Sequence, residues 1–138
     1  MDRLGIASGM KVLDIGCVWG AVTRAFTERG VEAVGITLAD QQFALAKQPV
    51  PERLRGSITY DLQDYQIHAA ENIGDYDRVV SIGMFEHVGR QQSETYFASI
   101  QKLPKPDSHA VIHSIVKDIP SRTNEWVDKY IFPSGYSP

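Results

Sequence analysis

A doubly wound α/β sheet with mostly parallel strands is the fold class this chain predicts. Three observations carry the prediction. Short apolar or β-branched runs recur along the chain, as strands buried on both faces require. Segments of helical periodicity alternate with them, which implies repeated β–α units. The stretch VLDIGCVWG, Val12 to Gly20, joins the first strand to the first helix through a glycine-bearing turn, the arrangement by which such sheets cradle a nucleotide.

Strands are predicted at Lys11–Ile15, Ala33–Ile36, Ser57–Asp61, Arg78–Ile82 and Ala110–Ile115. Helices are predicted at Ala21–Arg29, Asp40–Lys47 and Ser93–Leu103, the last with Tyr96, Phe97, Ile100 and Leu103 on one face. Pro49 and Pro51 end the second helix, and Pro104 and Pro106 end the third. Residues 119–138 are rich in proline, serine and aromatics and suggest no regular element.

Bulk properties narrow the function. At 138 residues the chain is expected to be one domain with a genuine core. Fourteen basic residues against seventeen acidic ones give a net charge of −3 without a basic tract, so no nucleic-acid partner is expected. Cys17 is the single cysteine, which excludes an internal disulfide and a cysteine-based metal cage and suits a reducing cytoplasm. No secretory signal or transmembrane segment is visible.

The glycine spacing bears on the kind of nucleotide. A dinucleotide fingerprint starting at Gly16 would place glycine at 18, where Val18 stands. A G-x-G-x-G turn, which opens the backbone to S-adenosylmethionine, is met at Gly16 and Gly20. Val18 puts a β-branched side chain where that backbone should be open. Asp14 and the helix start can meet the ammonium and carboxylate of the methionine half.

Ligands of such sheets bind beyond the carboxyl ends of the strands, so the residues after each strand come next. After the second lies GITLADQQ, where Thr37 and Gln42 can hydrogen-bond ribose hydroxyls and Asp40 either joins them or caps a helix. After the third lies LQDYQ. Asp64 and Tyr65 there either meet an adenine ring or are an ordinary surface acid and a half-buried aromatic. After the fourth lies SIGMFEHVG, with Glu86 beside His87 in a glycine-flanked loop, where an acid can act as a base or position one. After the fifth lies HSI, in which His113 is either a core histidine or a companion of Glu86.

In this order and spacing, LDIGCVWG, GITLADQQ, LQDYQ, DYDRVVSIGMFEHVG, HSI and KYIFPSG resemble the cyclopropane-fatty-acyl-phospholipid synthases and the related mycolic acid cyclopropane synthases. The resemblance runs from about Leu4 to the last residue, and FEHVG and YIFPSG are its specific part. It implies a Rossmann-like class I S-adenosylmethionine-dependent methyltransferase fold. It also implies transfer of a methyl carbon to the double bond of an unsaturated lipid acyl chain at the membrane surface.

Residue by residue, the resemblance assigns the cofactor turn to Asp14, Gly16, Cys17 and Gly20. It assigns ribose contacts to Thr37, Leu38 and Gln42, and the adenine side to Asp64 and Tyr65. It implies a bicarbonate ion beside the reacting carbon, held by Glu86, His113 and the backbone of Ile115. An alkene is a weak nucleophile, so the sulfonium must be held in line with it. The carbocation formed must lose a proton to a nearby base, and aromatic faces and a buried anion would stabilise its passing charge.

Three departures accompany the likeness. Val18 replaces the middle glycine of the family turn G-C-G-W-G, Ala39 replaces a helix-capping serine, and DSHA at 107–110 replaces a glycine-containing turn. The last two are expected to destabilise. The likeness also implies that the chain lacks the family's amino-terminal helical segment and its carboxyl-terminal strands. The expectation is therefore one partial domain over 1–138, impaired as it stands, cytoplasmic or peripheral to the inner membrane. The fifth strand would be an exposed edge, through which a homodimer is expected. Two alternatives stay open: a non-catalytic remnant or cofactor-binding module, and a dinucleotide-binding oxidoreductase, which the glycine spacing and Thr37 disfavour.

Overall fold

The structure, a computed structural model, describes residues 4–54, 57–116 and 125–131. Its centre is a five-stranded sheet of β1 (Lys11–Ile15), β2 (Glu32–Thr37), β3 (Ile58–Leu62), β4 (Tyr76–Ile82) and β5 (Pro104–His113). The strand order is β3-β2-β1-β4-β5 and every pairing is parallel. Helices α1 (Ala21–Thr27), α2 (Asp40–Ala46), α3 (Tyr65–Glu71) and α4 (Ser93–Lys102) fall between successive strands, and α5 (Glu125–Tyr130) follows the sheet.

Alternation along β1 divides the core. Val12 packs with Phe26 of α1 and with Val31, Ala33 and Val80 on one face of the sheet. Leu13 and Ile15 turn to the other face, against Tyr65 and Ala69 of α3 and Tyr96 and Ile100 of α4. Burial on both faces explains why β1 reads as an unbroken apolar run around Asp14. Asp14 lies on the α1 face, 3% exposed, and its Oδ2 accepts a 2.7 Å hydrogen bond from Thr23 Oγ1 of α1.

Several predicted boundaries shift for local reasons. α1 stops at Thr27, short of Arg29, because Gly30 at φ +78 turns the chain into β2. α3 was not anticipated; it is two turns long, begun by Asp64, whose Oδ1 accepts from Gln66 N at 2.7 Å. Asp40 is the first residue of α2 rather than its cap, and Ala39 at the cap position makes no side-chain hydrogen bond. Phe97 is half exposed, unlike Tyr96, Ile100 and Leu103, and its ring lies 5.3 Å from that of Phe85. The tail expected to be irregular contains α5; the rest of 119–138 lies outside the described residues.

β5 departs most from expectation. It begins at Pro104 rather than Ala110, and its pairing with β4 jumps from Tyr76↔Pro104 to Arg78↔His109 across a bulge. Asp107, inside that bulge, has φ +64, a left-handed conformation. This is the DSHA stretch predicted to lack a needed glycine. Among the described residues β5 pairs with β4 alone, so its other side is the edge of the sheet.

Two measurements test these contacts. Burial raises the Asp14 carboxyl from 3.8 to about 6, with the Thr23 hydrogen bonds opposing it. The folded carboxyl thus holds its proton more tightly than the unfolded one, which favours the native state at low pH, and that advantage is lost as pH rises through about 6. Relative to Asp14→Asn, wild type is expected to lose roughly 1–2 kcal/mol of unfolding free energy between about pH 5 and about pH 8. Parallel urea-denaturation profiles of the two proteins would contradict this. At the bulge, Asp107→Gly is expected to exceed Asp107→Ala by about 1 kcal/mol, because only glycine enters the left-handed region without strain; equal midpoints would refute the backbone assignment.

Candidate functional site

The strand order reverses between β1 and β4, and a crevice forms where the connections from the two strands leave in opposite directions. A cleft of about 310 Å³ opens there, at the carboxyl ends of the strands. Gly16 and Val18 form its floor, following β1. Thr37, Leu38, Ala39 and Gln42 come from the β2–α2 connection. Gln63 and Tyr65 follow β3, and Gly83, Met84 and His87 follow β4.

The floor is fixed by backbone hydrogen bonds. Gly16 N and Cys17 N both donate to Ile36 O, at 2.9 and 3.0 Å, which ties the turn to the end of β2. Gly20 N then donates to Cys17 O at 2.7 Å and closes the turn onto α1. Glycine is required at both ends. At Gly16, φ is +76 and a Cβ would lie 3.0 Å from Met84 Cβ. At Gly20, φ is +77 and a Cβ would lie 2.2 Å from Tyr60 Oη, the group that donates to Gly20 O at 3.1 Å. Between them Val18 has φ +50, a left-handed torsion that β-branched residues avoid.

The other residues assigned to the turn lie beneath it. Asp14 is occupied by Thr23 and does not line the cleft. Cys17 is 5% exposed; burial first and the nearby Asp14 carboxylate second push its thiol up to about 12, which leaves it unreactive. Among the residues assigned to ribose, Thr37 Oγ1 donates to Gln42 Oε1 at 3.3 Å and accepts from Ala39 N at 3.2 Å. The second bond supplies part of what the missing capping side chain would give α2. Gln42 lines the cleft, while Leu38 is 65% exposed at the rim. Asp64 caps α3 and does not line the cleft; Tyr65 does, its ring edge-on to Tyr96 at 5.4 Å.

Among the described residues Glu86 is the most deeply buried acid, 1% exposed, in a short 3₁₀ turn at Phe85–His87. Its Oε1 accepts from Ile115 N at 2.6 Å, and its Oε2 has no hydrogen-bond partner among the described residues. The structure thus joins the fourth and fifth post-strand segments through a carboxylate and a backbone amide. Gly83 N adds a 3.0 Å bond to His113 O, at the last residue of β5. The His113 residue is exposed at this strand end, so it is not a core histidine.

Of the twelve residues proposed from sequence, Gly16, Thr37, Leu38, Gln42 and Tyr65 line the cleft. Asp14, Cys17 and Gly20 support its floor, Asp64 begins the helix behind its wall, the buried Glu86 carboxylate is bonded to the backbone of the exposed Ile115, and His113 is exposed at the end of β5 with its carbonyl bonded to Gly83 N. Gln63 and Gly83 were not anticipated, although each directly follows a strand and the carboxyl-end rule would have found them.

The profile of the mycolic acid cyclopropane synthetase family matches residues 1–138. The chain is 38% identical over 141 residues to the cyclopropane-fatty-acyl-phospholipid synthase of Escherichia coli K12, covering 99% of this chain and 35% of that protein. It is 35% identical over 144 residues to the tuberculostearic acid methyltransferase UfaA1 of Mycobacterium tuberculosis, covering all of this chain and 33% of that one. The crystal structure of mycolic acid cyclopropane synthase CmaA1 complexed with SAH and CTAB superposes with a TM-score of 0.78 at 32% identity, covering 99% of this chain and 52% of that one. The chain therefore spans about a third of the length of these curated relatives. A parallel sheet with its strand order reversed beside β1, a glycine turn at that point and a family match over residues 1–138 agree: the chain belongs to the mycolic acid cyclopropane synthetase family.

Proposed function

We propose that this chain forms the S-adenosylmethionine-binding part of a methyltransferase that transfers a methyl carbon to the double bond of an unsaturated lipid acyl chain. In this reading residues 1–138 are a single partial domain of the longer family enzyme. The observation that carries it is the left-handed turn at Gly16, which opens a cleft of about 310 Å³ at the switch point of the sheet. That volume is at the lower end of small-molecule sites. Bound S-adenosylmethionine would supply an electrophilic methyl carbon.

Around it, Gln42 and Thr37 offer groups to ribose hydroxyls, and Tyr65 offers a ring face to a purine. The unpartnered Oε2 of Glu86 is a buried acceptor. It fits an anion that carries a hydrogen to donate, such as bicarbonate, with Ile115 N and His113 nearby in the chain. The same oxygen can accept a proton released at the site.

Exposed apolar side chains at the carboxyl ends of the strands support an approach to lipid. Trp19 is 61%, Leu38 65%, Ile115 57% and Val116 66% exposed. A tryptophan among aliphatic side chains suits a membrane interface. No helix among the described residues is long and apolar enough to cross a bilayer, so such contact would be made from its surface. A cytoplasmic protein peripheral to the inner membrane is the corresponding location. The free side of β5 at His109–His113 is proposed as a self-pairing edge. Sedimentation velocity over a concentration series is expected to show dimer formation; a monomer throughout would remove this part.

Val18 favours a second reading, a family remnant that no longer holds the cofactor. Its left-handed torsion strains the turn, and its side chain lines the cleft. Calorimetric titration with S-adenosylhomocysteine separates the two readings. Wild type is expected to bind, and Val18→Gly to bind several-fold more tightly and to gain about 1 kcal/mol of stability as the strain is relieved. Binding by Val18→Gly alone would establish the remnant; no binding by either protein would end the cofactor proposal.

A further inference from the structure

A glycine interrupts the apolar run of β2. Gly35 is level with Asp14 on β1 and with Tyr60 on β3, so these three positions share one face of the sheet. Neighbouring side chains occupy the space that Gly35 leaves: a Cβ there would lie 2.9 Å from Tyr60 Cδ1, 2.9 Å from Thr23 Oγ1 and 3.0 Å from Cys17 Cβ. Glycine within a strand marks such a close approach. The Tyr60 ring crosses β2 at this point, packs with Cys17 and Ala46, and is 8% exposed. Its hydroxyl donates to Gly20 O at 3.1 Å.

That bond fixes the far end of a turn whose near end is already held. Gly16 N and Cys17 N are tied to Ile36 O, while Gly20 O receives both the Tyr60 hydroxyl and, at 2.9 Å, Arg24 N. Val18 and Trp19 lie between these anchors and take the torsions that the anchors leave. A left-handed valine, here at φ +50, persists only where its surroundings over-determine it. A carbonyl has no hydrogen to give, so the phenol must be the donor. Burial raises Tyr60 above its ordinary value, and the nearby Arg24 opposes this without reversing it, so the hydroxyl keeps its hydrogen at neutral pH.

We propose that Tyr60 is a positioning residue for cofactor binding: reaching across Gly35 to Gly20 O, it clamps the turn in the open geometry that Val18 resists. Tyr60 does not line the cleft and acts only through the turn. A ring that merely filled the core would be indifferent to the residue at 18, whereas a clamp matters most where valine strains the backbone and least where glycine relieves it. The role rests on the cofactor proposal above; the clamp itself does not.

The test has two arms, each comparing wild type, Tyr60→Phe, Val18→Gly and the double variant. Tyr60→Phe keeps the ring and removes only the hydroxyl. In amide hydrogen exchange of the free protein, Gly20 N–H is expected to exchange roughly tenfold faster in Tyr60→Phe, beyond any change in the slowest amides of β1, and to return toward the wild-type rate in the double variant. A Gly20 rate that is unchanged, or that changes only as β1 does, would overturn the clamp. In calorimetry with S-adenosylhomocysteine, Tyr60→Phe is expected to weaken binding roughly three- to tenfold when Val18 is present and by less than about twofold when glycine replaces it. Equal losses in the two backgrounds, or no loss in either, would overturn the positioning role even where the exchange rates are as expected. Failure of wild type itself to bind would bring down the cofactor proposal and this role with it, while the exchange rates would still decide the clamp.

Discussion

One carbonyl oxygen governs the site. Ile36 O, at the end of β2, accepts from both Gly16 N and Cys17 N, so the chain leaving β1 must turn at once. It has five residues, Gly16 to Gly20, in which to reach the first turn of α1. Such a reversal needs left-handed torsions, and Gly16, Val18 and Gly20 all adopt them. The consequences spread outward. Asp14 is left beneath α1 with Thr23 as its partner, and Tyr60 fills the space above Gly20 that a side chain would otherwise take. The cleft is the space that this reversal leaves between β1 and β4.

The strain is unevenly distributed. Val18 and Asp107 are the non-glycine residues with positive φ among the described residues. Both positions had been singled out in the sequence as departures from a family pattern that places glycine there or nearby. A left-handed residue of this kind costs about 1–2 kcal/mol, small against a domain's gross interactions but large against its net stability. Aspartate tolerates the conformation better than valine, so the turn at the cleft carries more of the burden than the bulge in β5.

The sheet was legible because its strands are buried on both faces and therefore read as apolar runs; β1 was placed to the residue. α3 was missed because it is only two turns long and its exposed Ile67 and Ala70 blur the periodicity. The start of β5 was missed because Pro104 and Pro106 read as helix terminators and the bulge that accommodates the strand leaves no pattern in sequence. At the site, the glycine turn and the β2–α2 connection were found because small residues and hydroxyls at a strand end have few other uses. Asp64 shows the limit of such inference: the carboxyl that suits an adenine amino group also suits a helix cap, and the cap is what the structure contains. The hydrogen bonds among Glu71, Gln63, His68 and Tyr76 join α3, the residue after β3 and the start of β4, which meet only after the sheet has formed.

The central claim is that the strained turn still admits a nucleoside between β1 and β4. Mapping amide chemical-shift changes during titration with S-adenosylhomocysteine tests it most directly, because the response is located as well as measured. The account predicts saturable shifts at Gly16, Val18, Leu38, Gln63 and Gly83, with little change at Asp107 and Ser108 on the bulge of β5. Shifts absent from the Gly16–Gly20 turn, or spread evenly over the sheet, would contradict it.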